Sequence, residues 1–150
     1  MHLLSELLLT QTAQYSAKSV GGMEISVVVL VSAVVLKSTM DGKYSTGLNG
    51  FFIRKEAKGY GLQKRIEGNM IPPVVIVDDV ITSGRSVMNS IETVNEEGVT
   101  PKGVISVIDR EEEGTPNVLK ENNIKYSSLF KHSEFKPFIE QKLEEKRRAT

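Results

Sequence analysis

Residues 74–86 read VVIVDDVITSGRS, and this stretch decides the fold class of the chain. Its first four residues are β-branched and apolar, which is typical of a strand buried inside a sheet. Two adjacent carboxylates, Asp78 and Asp79, follow, and a short Thr/Ser/Gly turn leads into a segment of helical character at residues 87–97. A buried strand, a polar loop and a helix in this order predict one unit of an α/β fold.

The loop that follows this strand has the composition of a phosphate site. Backbone N–H groups and the positive end of the helix dipole meet at a helix N-terminus, and Gly84 allows the backbone to approach a ligand closely. A phosphate alone would be repelled by Asp78 and Asp79, so the ligand is expected to bring ribose hydroxyls, Mg²⁺ or both. Ordinary helix capping is the alternative. Acids, hydroxyl residues and a glycine within nine positions favour a phosphorylated sugar or a nucleotide instead.

Composition restricts the other function classes. A chain of 150 residues predicts one domain, residues 1–150, large enough for a hydrophobic core. Lys and Arg number 19 and Asp and Glu number 19, so no overall field favours nucleic acid or a membrane. The absence of cysteine excludes disulfides, thiol catalysis and zinc–cysteine sites, and it fits a cytoplasmic protein. The start, MHLLSELLL, has neither the basic region nor the cleavage pattern of a signal peptide.

Strands and helices alternate along the rest of the chain. Glycine-bearing polar segments at 40–49 and 55–67 predict loops, of which the second is basic and expected to be mobile. Alternating elements predict a doubly wound parallel sheet, in which ligands bind at the carboxyl ends of the strands. The predicted strands are 18–22, 50–54, 73–79, 102–109 and 124–130, and the predicted helices are 3–15, 84–97, 116–122 and one capped by Ser133 that runs to the basic end at 146–148.

Several of these stretches resemble one known family. Residues 74–86 resemble the phosphoribosyl-pyrophosphate loop of type I phosphoribosyltransferases. FFIRKEAKGYG at 51–61, closing with RIEG at 65–68, resembles the Arg-Lys-Glu-x-Lys loop of orotate phosphoribosyltransferases. VISVIDREE at 104–112 resembles that family's strand ending in Asp-Arg, and YSSLF at 126–130 fits its last strand. A weaker match is VGGME at 20–24. The resemblance covers about residues 17–135 and implies the type I phosphoribosyltransferase fold.

The apolar run at residues 25–36, ISVVVLVSAVVL, is ambiguous from its residues alone. It is shorter than the stretch of about 20 residues needed to span a bilayer, so it belongs in the interior. Its valines favour a strand. The resemblance implies a helix instead, because the segment after Gly-Gly-Met-Glu is helical in that family.

The resemblance implies transfer of a phosphoribosyl group from phosphoribosyl pyrophosphate to orotate. The products would be orotidine 5′-monophosphate and pyrophosphate, in a step of de novo pyrimidine synthesis. Asp78 and Asp79 would hold the ribose hydroxyls directly or through Mg²⁺, which would be bound mainly through the substrate. The loop would wrap the 5′-phosphate, and the whole binding segment that follows the two acids is Val80, Ile81, Thr82, Ser83, Gly84, Arg85 and Ser86.

The same resemblance implies roles for cations outside this loop. Arg54, Lys55 and Lys58 would bind the pyrophosphate, with Lys58 as the clamp on the leaving group. Arg110 would pair with the orotate carboxylate, and Thr82 would assist the base. Part of the basic loop reaches a neighbouring subunit in the family, so a homodimer is implied. For isolated lysines the alternative is a solvated charged surface.

The chain departs from the family pattern in three places. Only residues 1–17 precede the Gly-Gly strand, so the N-terminal hood over the base is expected to be largely missing. Ser26 and Val29 stand where the family has glycine and proline. Gly59 and Tyr60 replace the Asp-His that follows the second lysine of the mobile loop. Tyrosine can donate a hydrogen bond but carries no positive charge, so reduced activity is expected if that histidine acts electrostatically.

Two alternatives to the orotate enzyme follow from these departures. The first is a non-catalytic regulatory or sensor module that binds phosphoribosyl pyrophosphate. The cations Lys55, Lys58 and Arg110 count against it, because a sensor needs neither a leaving-group clamp nor a partner for orotate. The second is a phosphoribosyltransferase for another base, and the Asp109–Arg110 pair disfavours neutral purines.

Overall fold

The architecture is taken from a computed structural model of the chain. It describes residues 2–23, 25–42, 44, 46–55, 65–112, 119–120, 122 and 124–148. In this part of the chain, no helix is both long enough and apolar enough to cross a membrane.

The described residues form one six-stranded sheet with an antiparallel edge. Its strands, in chain order, are β1 (Ser19–Met23), β2 (Asn49–Ile53), β3 (Ile66–Gly68), β4 (Val74–Ile81), β5 (Gly103–Asp109) and β6 (Lys125–Lys131). Their spatial order is β3-β2-β1-β4-β5-β6, and every neighbouring pair except β2–β3 is parallel. The predicted doubly wound sheet is therefore confirmed, with β3 as an added edge strand.

Four helices accompany the sheet in the described residues: α1 (His2–Ala13), α2 (Ile25–Met40), α3 (Arg85–Glu96) and α4 (His132–Arg148). Alternate residues of β4 pack into two separate hydrophobic cores, one on each face of the sheet. Val75 and Val77 pack with residues of α1 and α2, whereas Val74 and Ile76 pack with residues of α3. A strand buried on both faces needs an apolar side chain at every position, which explains the unbroken VVIV run.

The valine-rich run folds as a helix, as the resemblance implied. α2 buries Val27, Leu30, Val31 and Val34 at helical spacing against the sheet. The strand preference of valine is weak, and packing of this face outweighs it.

Two predicted features need correction. β4 extends to Ile81, two residues beyond the predicted end of the strand at residue 79. The predicted loop 55–67 ends in β3, because residues 66–68 pair antiparallel with β2. This pairing is long-range, so no local sequence pattern predicts it. The predicted helix 116–122 lies largely outside the described residues.

The predicted cap of the last helix is also wrong. α4 begins at His132, directly after β6, so Ser133 lies in the first turn rather than ahead of it. The carboxylate of Glu134 takes the capping role instead, because its Oε2 accepts the N–H of Lys131 at 2.5 Å.

The two glycines of β1 are required by close approach of the neighbouring strands. A Cβ on Gly22 would lie 2.3 Å from the carbonyl oxygen of Val77, and one on Gly21 would lie 2.4 Å from that of Phe51. Neither obstacle is a mobile side chain, so the backbone itself would have to move. Local packing of the central strand therefore accounts for Gly-Gly.

Gly22→Ala is expected to lower the free energy of unfolding by about 2 kcal/mol, the usual cost of overpacking a core. Urea denaturation measures this. Gly50→Ala on β2 is the matched control, because its Cβ would meet only side-chain atoms of Val31 and Val35, at 3.3 and 3.2 Å. A loss from Gly50→Ala as large as that from Gly22→Ala would contradict the account.

Candidate active site at the carboxyl ends of the strands

The predicted site residues in the described part of the chain lie along one edge of the sheet. Arg54 follows β2, Thr82 follows β4 and Arg110 follows β5. These three strands are parallel, so their carboxyl ends share an edge. The N–H of Arg110 donates to the carbonyl oxygen of Ile81 at 3.0 Å, which joins the start of the polar loop to the Asp-Arg turn.

The loop between β4 and α3 has the geometry of an anion cradle. Gly84 is buried and has φ 72°, ψ 4°, a left-handed conformation that favours glycine. It occupies the N-cap position of α3, and no side chain in the described residues caps this helix end. The first N–H groups of a helix have no partner within the helix, so they remain directed toward a ligand.

The side chains of the loop differ in their exposure. Ser83, Arg85 and Ser86 are exposed, and Thr82 is half-buried. Just before them, Val80 is partly exposed, whereas the side chain of Ile81 is buried in the core on the α3 side. Ile81 can therefore contribute only its backbone groups, and not its side chain, to ligand binding.

The two adjacent carboxylates are held in fixed orientations. Asp78 Oδ1 accepts the N–H of Asp79 at 3.0 Å, and Asp79 Oδ1 accepts the N–H of Val80 at 2.8 Å. Both residues are half-buried. Their carboxylates thus add negative charge and oxygen acceptors beside a positive helix end, which suits a ligand carrying both phosphate and hydroxyl groups.

The described residues contain no group of three or more Asp, Glu, His or Cys side chains that could hold a metal ion. Mg²⁺ takes oxygen ligands and is usually held by one or two carboxylates together with substrate phosphates and water. Asp78 and Asp79 are the right donors for that arrangement. The donor set of Asp78 and Asp79 therefore fits a magnesium ion that arrives with a phosphorylated substrate.

The basic segment after β2 begins with a paired arginine. Arg54 Nε contacts Glu67 Oε1 at 2.9 Å, an ion pair to β3 that the sequence analysis missed. Arg65 donates to the carbonyl oxygens of Arg54 and Lys55 at 3.3 and 3.4 Å, and so supports the end of the strand. Lys58 lies outside the described residues, as do Gly59 and Tyr60.

Strand spacing sets the distance between the cations and the loop. β1 lies between β2 and β4, and neighbouring strands are about 4.8 Å apart, so residues at the same level, such as Phe51 on β2 and Ile76 on β4, are separated by about 10 Å. By this register Ile53, the last residue of β2, lies level with Asp78, and β4 continues for three more residues, so the ends of the two strands are more than about 10 Å apart. A ligand that bridges the loop and Arg54 must therefore carry anionic groups at both of its ends.

The Asp-Arg turn after β5 presents a guanidinium. Arg110 Nε contacts Glu112 Oε1 at 3.1 Å, and both side chains are about half exposed. Glu111 has φ 56°, and its Oε2 accepts the N–H of Ser133 at 2.7 Å. Hydrogen bonds from Ser133 lower the pKa of Glu111 and link the turn to the start of α4.

Two acidic partners, Glu67 and Glu112, were not among the predicted site residues. Each lies in a stretch that the motifs cover, but a motif does not show which charges pair. Glu112 stands only two positions after Arg110, and that short spacing was the available signal. Glu67 pairs with Arg54 through the antiparallel edge, which could not be anticipated without β3.

No family model matches the sequence. Among curated proteins, the chain is 33% identical over 135 residues to an orotate phosphoribosyltransferase of Aquifex aeolicus, covering 89% of this chain and 72% of that protein. It is 40% identical over 94 residues to an orotate phosphoribosyltransferase of Rhodopirellula baltica, covering 61% of this chain and 47% of that protein.

The fold is likewise similar to that of solved structures. A phosphoribosyltransferase from Corynebacterium diphtheriae superposes with a TM-score of 0.72 and 30% identity, over 87% of this chain and 73% of the other. The chain thus spans about half to three-quarters of the length of these relatives.

Proposed function

The chain belongs to the orotate phosphoribosyltransferase family, and from this premise we propose that it transfers the phosphoribosyl group of phosphoribosyl pyrophosphate to orotate. Pyrophosphate leaves and orotidine 5′-monophosphate forms, a step of pyrimidine synthesis. One observation carries the proposal: the N–H of Arg110 donates a hydrogen bond to the carbonyl oxygen of Ile81. This hydrogen bond holds the turn that bears Arg110, the candidate partner of a substrate carboxylate, beside the loop that is the candidate phosphate site.

The 5′-phosphate is placed in the loop that contains Gly84. Uncapped N–H groups at the start of α3 and the hydroxyls of Thr82, Ser83 and Ser86 supply donors. Arg85 begins α3 and is exposed, so its guanidinium is able to turn toward the phosphate. Together these groups would hold the phosphate without a metal of the protein's own.

Asp78 and Asp79 are assigned to the ribose. Their oxygens accept hydrogen bonds from hydroxyl groups, or ligate a magnesium ion that the substrate brings. That ion, when bound, supplies positive charge that stabilises the departing pyrophosphate. The carboxylates also stabilise positive charge that develops on the ribose as the bond to pyrophosphate breaks.

Pyrophosphate is assigned to Arg54, Lys55 and Lys58. Arg54 must exchange Glu67 for the ligand, and this exchange is favourable because an exposed ion pair contributes only about 0–1 kcal/mol. Pyrophosphate carries more charge than one carboxylate and competes well for the guanidinium. Lys58 follows Lys55 by three positions and is assigned to the leaving oxygen.

Orotate is assigned to Arg110. Its present partner is the carboxylate of Glu112, whose Oε1 lies 3.1 Å from Arg110 Nε, so the guanidinium already donates to a group of this kind. A planar carboxylate on the base can replace it with two parallel hydrogen bonds. The chain's own residues thus bind and orient both substrates, and orotate itself supplies the nucleophilic ring nitrogen.

A cytoplasmic homodimer is part of the proposal. Several large apolar residues of α2 are exposed, among them Ile25 at 87%, Leu36 at 64% and Met40 at 76%. An apolar stripe of this kind is typical of a protein interface. We assign this stripe to contact with a second copy of the chain. A homodimer would match the family's arrangement, in which the basic loop of one subunit reaches the other.

Arg110→Ala is expected to raise the KM for orotate about 30-fold to 150-fold, since a charge-assisted pair contributes about 2–3 kcal/mol. The KM for phosphoribosyl pyrophosphate should change less than about twofold. Steady-state measurement of pyrophosphate release, with each substrate varied in turn, tests this.

Arg147→Ala is the matched control, because it removes an arginine from the exposed end of α4. It should leave both KM values unchanged. An orotate KM that is unaffected by Arg110→Ala would show that Arg110 does not bind orotate. It would also remove the reason for preferring orotate over another base.

A further inference from the structure

Glu111 joins the Asp-Arg turn to the last helix, and the proposed reaction does not yet use that contact. Its Oε2 accepts the N–H of Ser133, in the first turn of α4, at 2.7 Å. The first N–H groups of a helix have no acceptor within the helix. A carboxylate from elsewhere in the chain satisfies one of them here and meets the positive end of the helix dipole. The contact is thus a helix cap supplied from the turn that bears Arg110.

The sheet fixes the start of α4. This helix follows β6 without an intervening loop, and Lys131, the last residue of β6, lies level with Asp109 in the ladder between β5 and β6. The acceptor and the donor of the cap therefore each stand two positions beyond the paired ends of neighbouring strands. The rings of Phe130 on β6 and Phe135 on α4 also pack together, with their centroids 5.9 Å apart. A bond to this part of α4 is therefore a bond to a fixed point of the fold.

Two further hydrogen bonds hold the backbone of the turn. The N–H of Arg110 donates to the carbonyl oxygen of Ile81 at 3.0 Å, and the N–H of Glu111 donates to Asp109 Oδ1 at 2.7 Å. Glu111 has φ 56°, a left-handed conformation that a residue with a β-carbon keeps only when its surroundings hold it there. Its N–H is held by Asp109 and its carboxylate by Ser133, so the two contacts together fix this conformation.

We propose that Glu111 is a positioning residue: by tying the turn to α4, it holds the backbone of Arg110 in the conformation from which the guanidinium meets the substrate carboxylate. The inference rests on the proposed function, since it gives the turn a purpose in orotate binding. The carboxylate of Glu111 is engaged with α4, so it acts through Arg110 and not on the substrate itself. It therefore affects the binding of orotate and not that of phosphoribosyl pyrophosphate, which is assigned to the ends of β2 and β4.

Glu111→Ala tests this, because it removes the carboxylate and keeps a β-carbon, so the cost of the left-handed conformation is unchanged. The KM for orotate is expected to rise about fivefold, the effect of losing one hydrogen bond. The KM for phosphoribosyl pyrophosphate should stay within about twofold. Glu111→Gln should keep both KM values within about twofold of wild type, because its amide oxygen still accepts the N–H of Ser133. An effect of charge alone would appear equally in both variants.

Glu134→Ala is the matched control. Glu134 Oε2 accepts the N–H of Lys131 at 2.5 Å, so it also holds the start of α4, but its contact is with β6 and not with the turn. Both alanine variants should lower the Tm by a similar amount, since each removes one carboxylate contact from the same helix start. Only Glu111→Ala should change the KM for orotate.

Amide hydrogen exchange supplies a readout that does not depend on turnover. In Glu111→Ala the amide of Arg110 should exchange about fivefold faster, because the turn around it has lost its tie to α4. Glu134→Ala should leave that amide unchanged. Unchanged exchange at Arg110 in Glu111→Ala, or an equal rise in the orotate KM from both alanine variants, would overturn the inference. A wild-type chain that never releases pyrophosphate would overturn the proposed function instead, and the exchange result would still decide the positioning role.

Discussion

Replacement of both Asp78 and Asp79 by Asn is expected to slow orotate-dependent pyrophosphate release about a thousandfold. Each carboxylate would lose a charge-assisted hydrogen bond or a magnesium contact of about 2 kcal/mol, and about 1.4 kcal/mol corresponds to a factor of ten. Asn keeps an Oδ1 atom that can accept the N–H now bound by each carboxylate. The fold should therefore survive, and the loss would report the missing charge.

The matched control is Glu92→Gln with Glu96→Gln, which removes two negative charges from exposed positions of α3. It should leave the rate unchanged. Thermal melting of both double variants shows whether either has lost stability. A folded Asp78→Asn/Asp79→Asn protein with a near wild-type rate would exclude the ribose role of the two acids.

Lys58→Ala is expected to lower kcat about a hundredfold to a thousandfold, the usual effect of removing one group that stabilises a developing anion. The effect is electrostatic, because pyrophosphate gains negative charge as it departs. Lys58→Arg keeps the charge and should retain a substantial part of the activity. Single-turnover pyrophosphate release measures the chemical step directly.

The control for Lys58→Ala is Lys102→Ala. Lys102 is exposed and lies immediately before β5, at the amino ends of the parallel strands and so opposite the proposed site. It removes the same charge far from the proposed site. A fall in affinity for phosphoribosyl pyrophosphate with no change in kcat would show that Lys58 binds the ground state only, and would contradict the clamp role.

The fold was largely predictable because β4 and its loop carry strong local signals. Four β-branched residues mark a doubly buried strand, and a glycine at the N-cap marks the turn into α3. β3 was missed because three residues are too few to show a period, and their pairing with β2 is long-range. α2 could be assigned only through the resemblance, because valine's local preference opposes its helical packing.

The site was predictable in its residues but not in its pairings. The motifs identified Arg54 and Arg110, whereas their partners Glu67 and Glu112 depend on strand pairing and on the shape of a turn. Side-chain networks between strands need the fold before they can be seen.

Pyrophosphate release from phosphoribosyl pyrophosphate and Mg²⁺, with and without orotate, tests the central claim most directly. We expect the unmodified chain to release pyrophosphate only when orotate is present, with orotidine 5′-monophosphate formed in equal amount. Binding of phosphoribosyl pyrophosphate without release in the presence of orotate would contradict the account and would favour a sensor or regulatory module.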